Sequence, residues 1–245
     1  MSLSQDYNLI GKKPDCSMGI KDIFKEWEPL QVEFRKDYMR ALSARLRAER
    51  LTTTVYPQKE CVFRAYSTTA LKDVKVVLLG MDPYPTNNYA NGLAFSVFEN
   101  TFKTNPKSLD NIFTELENDI GFQPYHNPDL ERWATQGVML LNTTLTVREG
   151  QPGSHSNFGW KTFTNKTLYH ICQRDVPTVF MLWGRHAHAY GNLIPTSNLF
   201  HCLYAPHPSP LSAYRGFFGC RHFSQCNEFL AKHNLTPIDW LKNGH

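Results

Sequence analysis

Four short stretches of this chain carry side chains whose chemistry is complementary. Gly80-Met81-Asp82-Pro83-Tyr84-Pro85 offers a carboxylate and Asn142 an amide. Gly184-Arg185-His186 offers a cation and an imidazole, and His207-Pro208-Ser209-Pro210-Leu211-Ser212 a further imidazole flanked by hydroxyls. A carboxylate can act as a base or stabilise positive charge, an amide can read a ligand through a donor and an acceptor together, and an imidazole can donate to a leaving group. Taken one loop at a time, the same Asp82 and Asn142 serve equally well as turn caps, with the prolines stiffening the backbone. Only a fold that brings the loops together turns them into a site.

The elements preceding these loops supply such a fold. Apolar, β-branched runs from Val74 to Gly80, Gly137 to Asn142, Thr178 to Gly184 and Leu199 to Pro206 are short and do not alternate, as suits strands covered on both sides. Helical stretches lie in or after the gaps, at Ser108 to Ile120, Leu130 to Gln136, Trp160 to Cys172 and His222 to His233. The alternation predicts an α/β fold in three layers, with a central four-stranded, mainly parallel sheet flanked by helices. In such sheets ligands gather beyond the carboxyl ends of the strands, which is where all four loops fall. Upstream, Leu30, Phe34, Tyr38, Leu42 and Leu46 predict one helix from Trp27 to near Arg50, with Arg35, Arg40, Arg45 and Arg47 on its solvated face. Residues 1–20 lack periodicity and read as a flexible tail, leaving 21–245 as a single domain.

Composition narrows the classes. With 41% hydrophobic and 13% aromatic residues over 245 positions, wholesale disorder is excluded. No apolar run approaches the ~20 residues that span a bilayer, and the start has no basic-then-apolar leader, so an intracellular, non-secreted protein without membrane contact is expected. Six cysteines without a Cys-x-x-Cys pair read as reduced thiols. Cys220, His222 and Cys226, even with His186 and His188, match no common zinc spacing, so no metal is expected. A Gly-rich phosphate loop and a Gly-x-Ser-x-Gly turn are both absent, which argues against nucleotide hydrolysis and serine esterase chemistry. The net charge of +4, from 26 basic and 22 acidic residues, permits a polyanion as partner without requiring one.

Gly80 to Pro85, Ala90 to Ser96, Gly137 to Asn142, Trp183-Gly184 and His207 to Phe223 together resemble, in order and spacing, the motifs of the family 1 uracil-DNA glycosylases. The similarity runs from about Thr54 to Trp240, and His207 to Ser212 followed by Tyr214 to Gly219 is its most specific part. The resemblance implies a DNA repair enzyme that hydrolyses the N-glycosidic bond of uracil in single- and double-stranded DNA, without a cofactor, by flipping the nucleotide out of the stack. It assigns Asp82 to stabilise the sugar cation and orient water, and neutral His207 to donate to uracil O2. A backbone N–H of the turn at Met81 adds a donor. Asn142 reads the uracil edge, Phe95 stacks on the base and Tyr84 crowds C5 against thymine. Ser108, Gly184, Arg185, Ser209, Pro210, Ser212, Tyr214 and Arg215 match loops that grip the DNA strand, with His222 as a further support, and Leu211 matches the wedge that enters the stack.

The sequence departs from the family pattern in three places. Met81 and Pro85 stand where Gln and His are usual, a variation similar to poxvirus-like members. Tyr89 replaces a common Gln, and Arg185 a common Ser. The resemblance also implies a monomer, recognised by DNA-mimicking inhibitor proteins, working in nucleus or cytoplasm or in a virus-infected cell. The competing reading is a DNA-binding or polymerase-associated subunit of the same fold that has lost catalysis, against which intact Asp82, Asn142 and His207 argue.

Overall fold

A computed structural model describes residues 18–86, 89–99, 104–123 and 126–241. The helices are α1 (Ile20–Ile23), α2 (Asp37–Thr52), α3 (Arg64–Thr68), α4 (Lys107–Ile120), α5 (Glu131–Ala134), α6 (Trp160–Cys172), α7 (Arg185–His188) and α8 (His222–Lys232). Between them run strands β1 (Val55–Tyr56), β2 (Val76–Gly80), β3 (Val138–Asn142), β4 (Val147–Arg148), β5 (Thr178–Trp183) and β6 (Phe200–Ala205). The expected tail 1–20 falls outside the described residues up to position 17, and Ile20 already opens α1.

The main sheet has the order β3-β2-β5-β6 and every pairing in it is parallel. "Mainly parallel" therefore becomes wholly parallel. Every residue of β2, β3 and β5 is buried, as a sheet covered on both faces requires. Register does the rest. Gly80 pairs with Asn142, Leu79 with Leu182 and Trp183 with Ala205, so all four strands finish at one level. The loops that follow them start from a common edge. One apolar core runs from Ile23 to Trp240 and encloses all five tryptophans of the chain.

Two features differ from expectation. The helix expected from Trp27 to Arg50 is divided, with a 3-10 turn over Glu28–Arg35 ending at Lys36, whose ψ of 151° is extended, before α2 begins. Buried Glu33 bridges the break by accepting from Lys36 Nζ at 2.6 Å and Tyr38 Oη at 2.8 Å. The apolar spacing is right because both pieces face the core, but periodicity cannot register a single extended residue. A second, antiparallel ribbon joins β1 to β4. At two residues each, these strands are too short to leave a pattern.

Candidate active site

A cavity of about 330 Å³ opens at the carboxyl edge of the sheet. Met81, Asp82, Tyr84, Phe95, Ser108, Asn142, Gly184, Arg185 and His207 all line it. Its size suits a small planar ligand. Ser209, Pro210, Leu211, Ser212, Tyr214 and Arg215 do not; they form the adjoining surface loop, on which Leu211 is 81% exposed.

Asp82 follows β2 and is fixed from a distant part of the chain, because Gly153 N donates to its Oδ2 at 2.6 Å. Burial raises the Asp82 pKa above its ordinary value, and the Gly153 hydrogen bond pulls against that rise. The turn before it is held by its carbonyls. Thr143 N donates to Gly80 O, while Thr144 N and Thr143 Oγ1 both donate to Met81 O, at 2.9–3.0 Å. Since peptides are planar and trans, these bonds turn the Met81 and Asp82 N–H groups the opposite way. The Met81 side chain itself is exposed at the cavity.

Thr143 also contacts His186 Nε2 at 2.8 Å. Its own proton is committed to Met81 O, so His186 must be the donor, which fixes the imidazole with hydrogen on Nε2. Neither Gly153 nor the Thr143–His186 pair stood out in the sequence. A turn glycine and a threonine one residue past a strand carry no spacing signal.

Asn142 ends β3 with 6% of its surface exposed, and its amide has no hydrogen-bond partner among the described residues. An amide at the cavity wall without protein partners is poised for a ligand that supplies them. Glycine is required beside it, since a Cβ on Gly80 would stand 2.1 Å from Asn142 Oδ1. Gly184 makes similar room, where a Cβ would come within 2.8 Å of His207 Cβ and the φ of +88° disfavours other residues.

His207 follows β6. Its Nδ1 accepts from Ser209 N at 3.0 Å, which puts the proton of the neutral ring on Nε2. Burial lowers its pKa and keeps it neutral. Its ring lies 5.8 Å from that of Phe95, which is 5.7 Å from Trp183. Phe95 has a φ of 63°, a left-handed conformation unusual for a bulky residue and held by Ala94 N to Leu140 O and by Tyr84 Oη to Phe95 O. Strain of this kind, at a ring facing a cavity, marks the place where a flat ligand can stack.

The serines of the surface loop are braced internally. Ser212 Oγ donates to His207 O at 2.8 Å, so in the contact between the two hydroxyls Ser209 must be the donor. Any phosphate held by these hydroxyls has to displace that brace. Arg185, exposed at the cavity mouth, has no partner among the described residues. His222 plays a different part from the one expected, because it is buried and its Nδ1 accepts from Trp183 Nε1 at 2.9 Å. It orients a core indole and does not face the surface where a phosphate would lie. No group of three or more metal-ligating side chains converges among the described residues.

Fold and site together define a parallel α/β protein with a carboxylate, an amide and a neutral imidazole lining one cavity at the carboxyl edge of its sheet. Residues 67–231 match the family model of the uracil DNA glycosylase superfamily. The uracil-DNA glycosylase of Amoebophilus asiaticus is 48% identical over 220 residues, covering 89% of this chain and 99% of the relative. That of Haemophilus influenzae is 52% identical over 188 residues, covering 76% and 84% respectively. The crystal structure of mimivirus uracil-DNA glycosylase superposes with a TM-score of 0.82 at 28% identity, covering 93% of this chain and 91% of that one. A variant of the mimivirus protein in complex with UGI gives the same score. The chain belongs to the uracil-DNA glycosylase family.

Proposed function

We infer that the chain is a monofunctional uracil-DNA glycosylase, a repair hydrolase that releases uracil from DNA and leaves an abasic site. The observation that carries the residue assignments is the meeting of Asp82, Asn142 and Nε2-protonated His207 at one cavity. The scissile bond lies inside the duplex, so the nucleotide must first leave the stack, at a cost of a few kcal/mol that protein contacts offset. Leu211 is the side chain that fills the gap, standing 81% exposed on the loop beside the cavity.

Inside the cavity the base stacks on Phe95, with Tyr84 against C5 excluding a methyl group. Asn142 offers a donor to uracil O4 and an acceptor to N3–H, whereas cytosine presents the reverse pattern. As the bond breaks, charge separates into a cation-like sugar and a uracil anion. The Asp82 carboxylate stabilises the first, and His207 Nε2–H with the N–H face of the Met81 turn stabilises the second. Asp82 also orients the attacking water and accepts its proton. Met81 and Pro85, similar to poxvirus-like members, are compatible with this scheme because the charged group and both donors remain. The protein acts as a monomer, and inhibitor proteins of the UGI kind would compete with DNA for the same surface.

Release of free uracil from single- and double-stranded oligonucleotides tests the activity, and its absence in folded protein would favour a non-catalytic DNA-binding subunit. Asn142→Asp is expected to release cytosine measurably, because a carboxyl group can accept from the cytosine amino group. Gly80→Ala is expected to lose uracil excision without that gain, as its methyl group displaces the Asn142 amide. Base release from matched uracil- and cytosine-containing strands checks both. A cytosine-inert Asn142→Asp that remains folded would overturn the edge-reading role. Arg185→Ser is expected to reduce the slope of log affinity against log salt by about one, as for loss of a single phosphate contact. DNA-binding titrations over a range of salt check it; an unchanged slope removes Arg185 from the DNA surface.

A further inference from the structure

We propose that one stripe of α4, formed by Asn111, Glu115 and Asp119, is the positioning element of the segment that carries Leu211, and sets how far that side chain stands into a duplex. The proposal rests on the wedge reading of Leu211. The three residues are spaced i, i+4, i+8 and so share one face of the helix. Asn111 Nδ2 donates to Pro208 O at 2.7 Å, which fastens the segment before Leu211.

The other two fasten it afterwards. Glu115, fully buried, accepts from Gly219 N at 2.6 Å and from Arg221 N at 2.9 Å. Asp119, its side chain also inaccessible, accepts from Ser224 N at 2.8 Å and Ser224 Oγ at 2.5 Å, with Arg221 Nε 3.5 Å away. Arg221 is thereby held at a φ of 54°, a left-handed conformation it would not adopt unassisted. Between the two fastenings Leu211, Tyr214 and Phe218 are exposed.

Leu211 is itself exposed, while buried Ala213 and Phe217 seat the middle of the segment in the core and the Ser212 hydroxyl ties it to His207 O, so what α4 adds is the placing of the segment's two ends. Buried carboxylates are a costly way to do that unless each oxygen is satisfied, and here each accepts a hydrogen bond. The same stripe begins at Ser108, which lines the cavity. Cavity and wedge are therefore referenced to one rigid rod, over an axial span of roughly 16 Å from Ser108 to Asp119 at 1.5 Å per residue.

Single-turnover excision on single-stranded and duplex uracil DNA tests this for Asn111→Ala, Glu115→Gln, Asp119→Asn and Leu211→Ala, with thermal melting of each variant alongside. Each α4 variant is expected to lose roughly tenfold on duplex while staying within about twofold of the parent on single strands. Combined with Leu211→Ala, it should add little, because both act on the same step. Asn111→Ala removes only a half-buried contact and keeps the test decisive if a carboxylate variant fails to fold. A duplex-selective loss in Leu211→Ala with none in the α4 variants, or losses that add in full, would overturn the proposal alone. Equal losses on both substrates in Leu211→Ala would sink the wedge reading and this proposal with it.

Discussion

Asp82→Asn is expected to slow single-turnover uracil release by at least ~10²-fold with little change in DNA affinity, since charge stabilisation and help to water are each worth about that much. Asparagine keeps the shape and can still accept from Gly153 N, so geometry is preserved while the charge is lost. The pH profile provides a second reading of the same group. Above its folded-state pKa Asp82 is ionised and competent; as pH falls through that value the charge disappears and the rate drops. Burial raises that pKa from the ordinary 3.8, so the acid limb should lie above the range of a free aspartate. The Asn variant should lack this limb. A variant nearly as fast as its parent in single turnover would mean that the mechanism assigned to Asp82 is wrong, even with uracil excision intact.

His207→Ala should cost a further large factor, roughly 10²- to 10³-fold in the single-turnover rate, as for loss of one aimed donor to a developing anion. The argument depends on the ring being neutral with hydrogen on Nε2. The Ser209 N–H to Nδ1 bond supplies the tautomer and burial the neutrality, since it lowers the pKa below the ordinary 6.5. Protonation on the acid side therefore occurs below that value, and the rate should be flat through neutral pH on account of this residue. Single-turnover rates between mildly acidic and mildly alkaline pH check it. A rise in rate on protonation of His207 would mean that an imidazolium, and not the neutral ring, faces the leaving base.

What could be read from the sequence follows from what patterns record. β2, β3 and β5 were legible because burial on both faces demands unbroken apolar runs, whereas β6, expected to be covered on both sides, is an edge strand with Tyr204 exposed and was legible only from its length and apolar content. Asp82, Asn142 and His207 were legible because each stands at or just past the end of a strand. Gly153 was not, since its contribution is a backbone N–H delivered 71 residues later in the chain, for which any residue type supplies the same atom. The link from His186 through Thr143 to Met81 O was equally hidden, because it depends on two hydrogen bonds that share one hydroxyl. His222 misled for the opposite reason. It sits within a recognisable motif but faces inward to Trp183, a direction set by how α8 packs and not by neighbours in sequence.

The common level at which the four strands end has a practical counterpart at their beginnings. There, Pro195 to Asn198 precedes β6 as a surface link, with Pro195, Thr196 and Asn198 exposed, whereas Gly137, ahead of β3, is wedged against Asp73 O and tolerates nothing larger. A biotin-acceptor peptide inserted between Pro195 and Thr196 would tether the molecule by the end of the sheet remote from its opening. Immobilised this way on a sensor, every copy would present its mouth to solution, and the kinetics of DNA capture could be followed without the surface blocking approach.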